Sequence, residues 1–190
     1  PQHGVTSIVM GNCGLTLAPA KPSDHDAIVK SFVRVEAIPR SVLDQGVPWG
    51  WHTYGDYLDA LEGKIGVNVG GLVGHIAVRQ YAMGEESVER AATAKEIEQM
   101  KALVLEAMES GALGISTNRN ERHMREDGKP VASRLATDEE LFALCQVLSD
   151  LFTIIEAHRL KKPQDLKTVR LVYIGDGNND RWCVETTRGD

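Results

Sequence analysis

The chain has 190 residues, 42% of them hydrophobic, and a formal net charge of −6. A chain of this length buries roughly 70% of its unfolded surface, so we expect one globular domain, or one and a half, with a real core. The acidic balance and the lack of a basic block argue against nucleic acid as a partner. No apolar run reaches the ~18 residues of a membrane helix, so we expect no membrane partner.

Cysteine usage limits the redox chemistry of the chain. The three cysteines, Cys13, Cys145 and Cys183, are odd in number and widely spaced. This spacing excludes a simple disulfide framework and a CxxC zinc knuckle. The chain starts at Pro1 without a basic and then apolar leader, so we expect a cytoplasmic protein.

The first half of the chain alternates between strand and helix signals. Residues 5–10, VTSIVM, are apolar and β-branched, which predicts a buried strand that ends at the GNCG turn. Helices are predicted over 24–35 and 54–61, the second after a loop rich in Trp and Tyr. Residues 67–78 predict a second strand that contains glycines and has the polar residue His75 near its carboxyl end.

The second half begins with the strongest helix signal. Thr93 and Glu96 have the spacing of a capping box, and Gly111 is a typical helix stop. A third strand is predicted over 112–117, followed by a polar loop over 118–136.

A second capping box, at Thr137 and Glu140, predicts a helix that continues to about Ala157. Residues 169–174 predict a fourth strand. Strands that alternate with helices at these spacings predict an α/β fold with parallel strands.

Chemistry in such folds lies at the carboxyl ends of the strands, so the candidate residues are those that follow each strand. They are Asn12 and Cys13, His75, Ser116 and Thr117, and the turn at 176–179. Cys13, between two glycines, is either a metal ligand or nucleophile, or a buried thiol beside a turn. His75 is a ligand, an acid–base group, a substrate donor or a satisfied core histidine. Ser116 either donates to a substrate or caps the strand exit.

Four stretches of the chain carry a family resemblance. They are HGVTSIVMGNCG at 3–14, NVGGLVGHIAVRQYAMG at 68–84, EQMKALVLEAMESGALGIST at 98–117 and ATDEELFALCQVL at 136–148. In this order they resemble the N-acyl-D-amino-acid deacylases, the D-aminoacylase branch of the amidohydrolase superfamily.

This resemblance implies a partial TIM-barrel-like set of alternating parallel strands and helices. It also implies zinc-dependent hydrolysis of the amide of small N-acyl-D-amino acids. Zinc activates water and polarises the amide carbonyl in such chemistry. By resemblance Cys13 is a metal ligand, and His75 lies near the active site, where we assign it and Ser116 to substrate binding.

The resemblance is incomplete, however. The family carries an HxH pair, which this chain lacks. A complete barrel needs about 250 residues, and a catalytic zinc needs three protein ligands. We therefore expect a fragment of an amidohydrolase that is inactive alone. Open strand edges also make an oligomer possible.

The C-terminal part resembles a different family, the ornithine-type carbamoyltransferases. The similarity covers residues 145–179, with CQVLSDLFTI and LVYIGDGNN as its main motifs. By this resemblance Asn179 contacts the second substrate, whereas Ala143 and Leu144 replace the family's His-Pro pair.

We accordingly predict two units, residues 1–148 and 149–190. Two alternatives to the amidohydrolase function follow. One is binding of carbamoyl phosphate and an amine such as ornithine. The other is a non-catalytic α/β scaffold that completes its sheet through a partner.

Overall fold

The computed structural model describes the backbone of residues 3–157, 173–174 and 182–183, and the side chains of residues 3–149. A parallel sheet of three strands, in the order β1-β2-β3, organises the described part. Its strands are β1 (Ser7–Met10), β2 (Asn68–Gly74) and β3 (Gly114–Ser116). A short antiparallel pair consists of β4 (Tyr173–Ile174) and β5 (Trp182–Cys183).

Six α-helices accompany the strands in this part of the chain. They are α1 (His25–Val35), α2 (Arg40–Gly46), α3 (Tyr54–Leu61), α4 (His75–Met83), α5 (Ala94–Glu109) and α6 (Asp138–Ala157). Helices lie between consecutive parallel strands along the chain, as crossover connections require. The predicted α/β class is therefore confirmed.

The sheet is strongly staggered. The first four residues of β2 pair with β1, from Ser7 with Asn68 to Met10 with Gly71. The last three pair with β3, up to Gly74 with Ser116. Such stagger is characteristic of sheets that curve toward a barrel. It agrees with the partial TIM-barrel-like arrangement expected from the sequence.

Local capping signals set two of the helix starts. Thr93 accepts a hydrogen bond from the amide of Glu96, whose carboxylate accepts one from the Thr93 amide at 2.7 Å. Thr53 and Asp56 make the same reciprocal pair before α3. The helix predicted over 54–61 coincides with α3 because this box fixes its first turn.

The prediction for residues 67–78 was wrong in its second half. The strand ends at Gly74 and α4 begins at His75. A Cβ at position 74 would lie 2.5 Å from the Gly14 carbonyl oxygen, so only glycine lets the strand pass this close to the neighbouring loop. Nearly all of α4 is buried, and apolar periodicity does not distinguish a buried helix from a buried strand.

The burial predicted for β1 was also wrong. Val5, Ile8 and Val9 are 46%, 43% and 53% exposed. Within the described residues β1 pairs with β2 at one edge and has no strand at the other. Ile8 and Val9 are neighbours in β1 and point to opposite faces, so neither face of the strand is fully covered by the described residues. The composition of β1 nevertheless suits a strand that is covered on both faces.

Helices α5 and α6 supply much of the core. Met100 and Val104 of α5 and Leu144 and Leu148 of α6 are almost completely buried in one cluster. Helix α6 runs without a break across the predicted boundary at 148/149. The division into two units stays a prediction, since most of the second unit lies outside the described residues. None of the described helices is long and apolar enough to span a membrane.

Two residues of α6 provide a matched test of this packing. Leu144 is 1% exposed and Phe142 is 71% exposed. We expect Leu144→Ala to lower the free energy of unfolding by about 2–5 kcal/mol, because it leaves a cavity. Phe142→Ala should change it by less than about 0.5 kcal/mol. Urea unfolding measures both, and equal losses would contradict the packing described here.

Candidate functional site

The loop that carries Cys13 leaves the carboxyl end of β1 in an unusual conformation. We call residues 11–14 the cysteine loop. Gly11, Cys13 and Gly14 have φ angles of +91°, +59° and +75°. Left-handed backbone is unfavourable for a residue with a Cβ, so the surroundings must hold Cys13 in place. Its side chain is half-buried.

Contacts from β2 and β3 provide that hold. The Ser116 hydroxyl donates to the Gly11 carbonyl and accepts from the Gly14 amide at 3.0 Å. The Gly74 amide donates to Thr16 Oγ1 at 3.1 Å, just beyond the loop. The carboxyl ends of the three strands therefore meet, as the sequence predicts, with Ser116 against the cysteine loop.

His75 lies at the first position of α4 and is fully buried. Its Nδ1 is 2.8 Å from Thr117 Oγ1, and its Nε2 is 2.7 Å from Glu140 Oε1. An ionised Glu140 accepts hydrogen bonds only, so Nε2 carries the proton and Nδ1 accepts from the Thr117 hydroxyl. Both ring nitrogens are thus occupied by protein groups.

Glu140 also binds Arg79, one turn after His75 on α4. An Arg79 guanidinium nitrogen donates to Glu140 Oε2. The other terminal nitrogen donates to the carbonyls of Ser87 and Arg90, at 3.3 and 3.0 Å. Arg79 and Glu140 are both fully buried, so this ion pair lies inside the core.

The electrostatics of this cluster follow from burial and pairing. Burial lowers the pKa of His75, and the Glu140 carboxylate offsets this only in part, so the pKa lies below 6.5. Burial alone would raise the pKa of Glu140. Hydrogen bonds and charge from His75 and Arg79 outweigh it, and the pKa lies below its ordinary value. A neutral His75 and an ionised Glu140 are the consistent pair near neutral pH.

The sequence analysis singled out neither Arg79 nor Glu140 for this cluster. Glu140 was assigned to a capping box with Thr137, and Thr137 Oγ1 does accept from the Glu140 amide at 3.2 Å. The carboxylate, however, reaches across to α4. No local signal could have revealed a pair that is 65 residues apart in sequence.

The predicted site residues are thus placed in two groups. Cys13 and Ser116 meet at the carboxyl edge of the sheet, and His75 lies in the adjoining buried cluster. Asn179 lies outside the described residues. The substrate-binding roles of His75, Ser116 and Asn179 stay predictions.

Metal ligands are sparse in the described part. Among residues 3–149, whose side chains the structure describes, there is no group of three or more His, Cys, Asp or Glu residues suited to a metal ion. A cysteine such as Cys13 can supply one zinc ligand, but a catalytic zinc needs three protein ligands. These residues alone therefore do not fit a catalytic metal ion.

A shallow cleft of about 400 Å³ lies at the opposite end of the strands. It is lined by Val5, Thr6, Ile65, Gly66, Val67 and Asn68. These residues precede or begin β1 and β2, so the cleft is at the amino edge of the sheet and separate from Cys13.

Fold and site together define a parallel α/β domain whose thiol-bearing loop lies at the carboxyl edge of the sheet. The profile of the amidohydrolase family matches residues 1–152. The chain therefore belongs to the amidohydrolase family. The predicted family is confirmed over the part that carries the four motifs.

Individual relatives agree with this assignment. A D-aminoacylase from Alcaligenes xylosoxydans xylosoxydans is 39% identical over 148 residues, 77% of this chain and 26% of the relative. A crystal structure of D-aminoacylase matches with a TM-score of 0.54 at 33% identity, covering 77% of this chain and 27% of the other. An N-acyl-D-glutamate deacylase from Bordetella bronchiseptica, complexed with zinc and a phosphonate inhibitor, matches with a TM-score of 0.55 at 27% identity, over 79% and 27%.

The chain spans about a quarter of the length of these relatives. The comparisons give no support to the carbamoyltransferase resemblance of residues 145–179 or to a non-catalytic scaffold. The metal in the zinc complex belongs to that relative.

The buried ion pair gives a stability prediction. Glu140→Gln keeps the shape of the side chain but leaves the Arg79 charge unpaired in the core. We expect it to lower the free energy of unfolding by about 3–5 kcal/mol in urea titrations. As a control, Glu98→Gln breaks an exposed 2.9 Å pair with Lys101, which should cost at most about 1 kcal/mol. Similar losses for the two variants would contradict a buried, charged Glu140.

His75 gives a pH prediction. Its pKa is lower in the folded chain than the unfolded value of 6.5, so the unfolded chain binds more protons as the pH falls through 6.5. Stability is therefore present above 6.5 and lost on acidification. Urea midpoints between pH ~7.5 and ~5.5 should fall less steeply for His75→Gln than for the wild type. The exposed His3→Gln serves as control, and parallel curves for His75→Gln and wild type would refute the assignment.

Proposed function

We propose that this chain is part of a metal-dependent amidohydrolase that cleaves the amide of N-acyl-D-amino acids. The observation that carries the proposal is the Cys13 loop at the carboxyl edge of the parallel sheet, in a chain of this family. The substrate class is supported by the names of the similar proteins, a D-aminoacylase and an N-acyl-D-glutamate deacylase.

Cys13 is the residue that we assign to the metal, with zinc as the ion. Zinc accepts thiolate ligands, and one similar structure is a zinc complex. A bound zinc would supply an activated water and polarise the amide carbonyl. The chain's own contribution is the placement of the thiol, through the hydrogen bonds of Ser116 to either side of it.

The same reasoning predicts that the 190-residue chain alone is inactive. One thiol does not make a three-ligand site, and the described residues offer no cluster that completes it. The exposed apolar side chains of β1 support association with further strands, either of a longer chain or of another copy. An oligomeric state is therefore also part of the proposal.

A chimera tests the proposed function. The stretch of the Alcaligenes D-aminoacylase that aligns with this chain is replaced by the matching residues of this chain, so that the relative supplies the rest of the protein. Release of free D-amino acid from N-acetyl-D-amino acids is then measured with and without zinc. We expect zinc-dependent release by the chimera and none by the 190-residue chain.

Two cysteine variants of the chimera sharpen the test. Cys13→Ala should lower the rate more than about 100-fold, since loss of even an indirect partner of a metal ligand costs 10–100-fold. Cys145→Ser, at a half-buried position on α6, should retain the rate. Hydrolysis that survives Cys13→Ala would contradict the role of Cys13 as a metal ligand. Turnover by the 190-residue chain alone would contradict the claim that its site is incomplete.

A further inference from the structure

We propose that Ser116 is a positioning residue that fixes the cysteine loop and thereby the direction of the Cys13 thiol. This role replaces the substrate-binding role predicted from the sequence. It rests on the proposed function only in taking Cys13 as the group whose direction matters. The contacts of Ser116 with the loop need neither metal nor substrate.

The bonding capacity of the Ser116 hydroxyl is already used within the protein. A serine hydroxyl has one donor and two acceptor positions. The donor goes to the Gly11 carbonyl, and one acceptor position takes the Gly14 amide at 3.0 Å. Ser116 is 2% exposed, so a substrate has no access to the remaining acceptor position.

The two bonds bracket the part of the loop that is conformationally unfavourable. They attach to positions 11 and 14, on either side of Asn12 and of Cys13, whose φ is +59°. Regular strand pairing does not reach these loop groups, because β1 ends at Met10. The hydroxyl therefore satisfies one carbonyl and one amide that hold the left-handed turn in place.

Ser116 forms these bonds across more than a hundred residues of sequence, with separations of 105 and 102. They are tertiary bonds between the end of β3 and the loop after β1. The position of the thiol relative to the sheet edge is thus set by β3. A positioning residue should accordingly control how freely the loop moves without changing the fold.

Thr117 provides a matched control on the same strand end. It is also buried, and its hydroxyl bonds to His75 Nδ1 at 2.8 Å. Thr117→Val removes one buried hydroxyl beside Ser116 but no bond to the cysteine loop. Comparison of the two variants separates control of the loop from general loss of stability.

The experiment measures the reactivity of the Cys13 thiol in the metal-free chain. A background with Cys145→Ser and Cys183→Ser makes Cys13 the one thiol present. The rate of alkylation by iodoacetamide is measured at one fixed pH and at a urea concentration below the unfolding transition. Ser116→Ala removes two hydrogen bonds to the loop. We expect it to raise the rate at least about fivefold, the effect of losing one such bond, and Thr117→Val to leave the rate within about twofold. Equal rates for the two variants would overturn the proposal.

A measurement on the unsubstituted chain covers the case in which Ser116→Ala does not fold. Amide hydrogen exchange at Gly14 reports its bond to Ser116 directly. We expect exchange at least about tenfold slower than in an unstructured peptide. Exchange at the unprotected rate would contradict the positioning role. Both readouts are independent of amide hydrolysis, so failure of the proposed function and failure of this inference give different results.

Discussion

The buried carboxylate of Glu140 is the constraint on which the rest of the described structure depends. A charge without solvent is costly unless it is paired and hydrogen-bonded. Glu140 meets both conditions through His75 and Arg79, which are four residues apart and so lie on one face of α4. A shift of α6 along α4 by one turn would separate both donors from the carboxylate. The bonds of Glu140 to His75 and Arg79 therefore fix the position of α6 relative to α4.

The same cluster continues into the candidate site through the end of β3. Successive residues of a strand point to opposite sides. Thr117 bonds to His75, whereas Ser116 bonds to the loop that carries Cys13. The end of β3 is thus held from the helix side by the Glu140 cluster while it holds the cysteine loop on the other. The position of the Cys13 thiol therefore depends on the buried Glu140 carboxylate indirectly, through the end of β3.

The sequence predicted those features whose causes are local. The start of α5 follows from Thr93 and Glu96, three residues apart, and the capping box behaves as it would in an isolated helix. Thr137 and Glu140 have the same spacing, but the carboxylate of Glu140 binds residues of α4, because a buried arginine and histidine compete for it more strongly than one backbone amide. The boundary at His75 was missed for a related reason. Burial on all sides removes the periodicity that separates helix from strand.

Under the proposed function, the contribution of this part of the protein to the site is geometric. The cysteine loop is held by contacts that need no metal, so a ligand that binds there does not have to order the loop as well. Parallel strands bring their carboxyl ends to the same edge of a sheet. Strands added at the free edge of β1 would therefore deliver their terminal residues next to Cys13, and the helices that accompany such strands would cover the apolar Ile8 and Val9. The incomplete ligand set and the exposed strand then have one cause, because both reflect the neighbours that β1 lacks among the described residues.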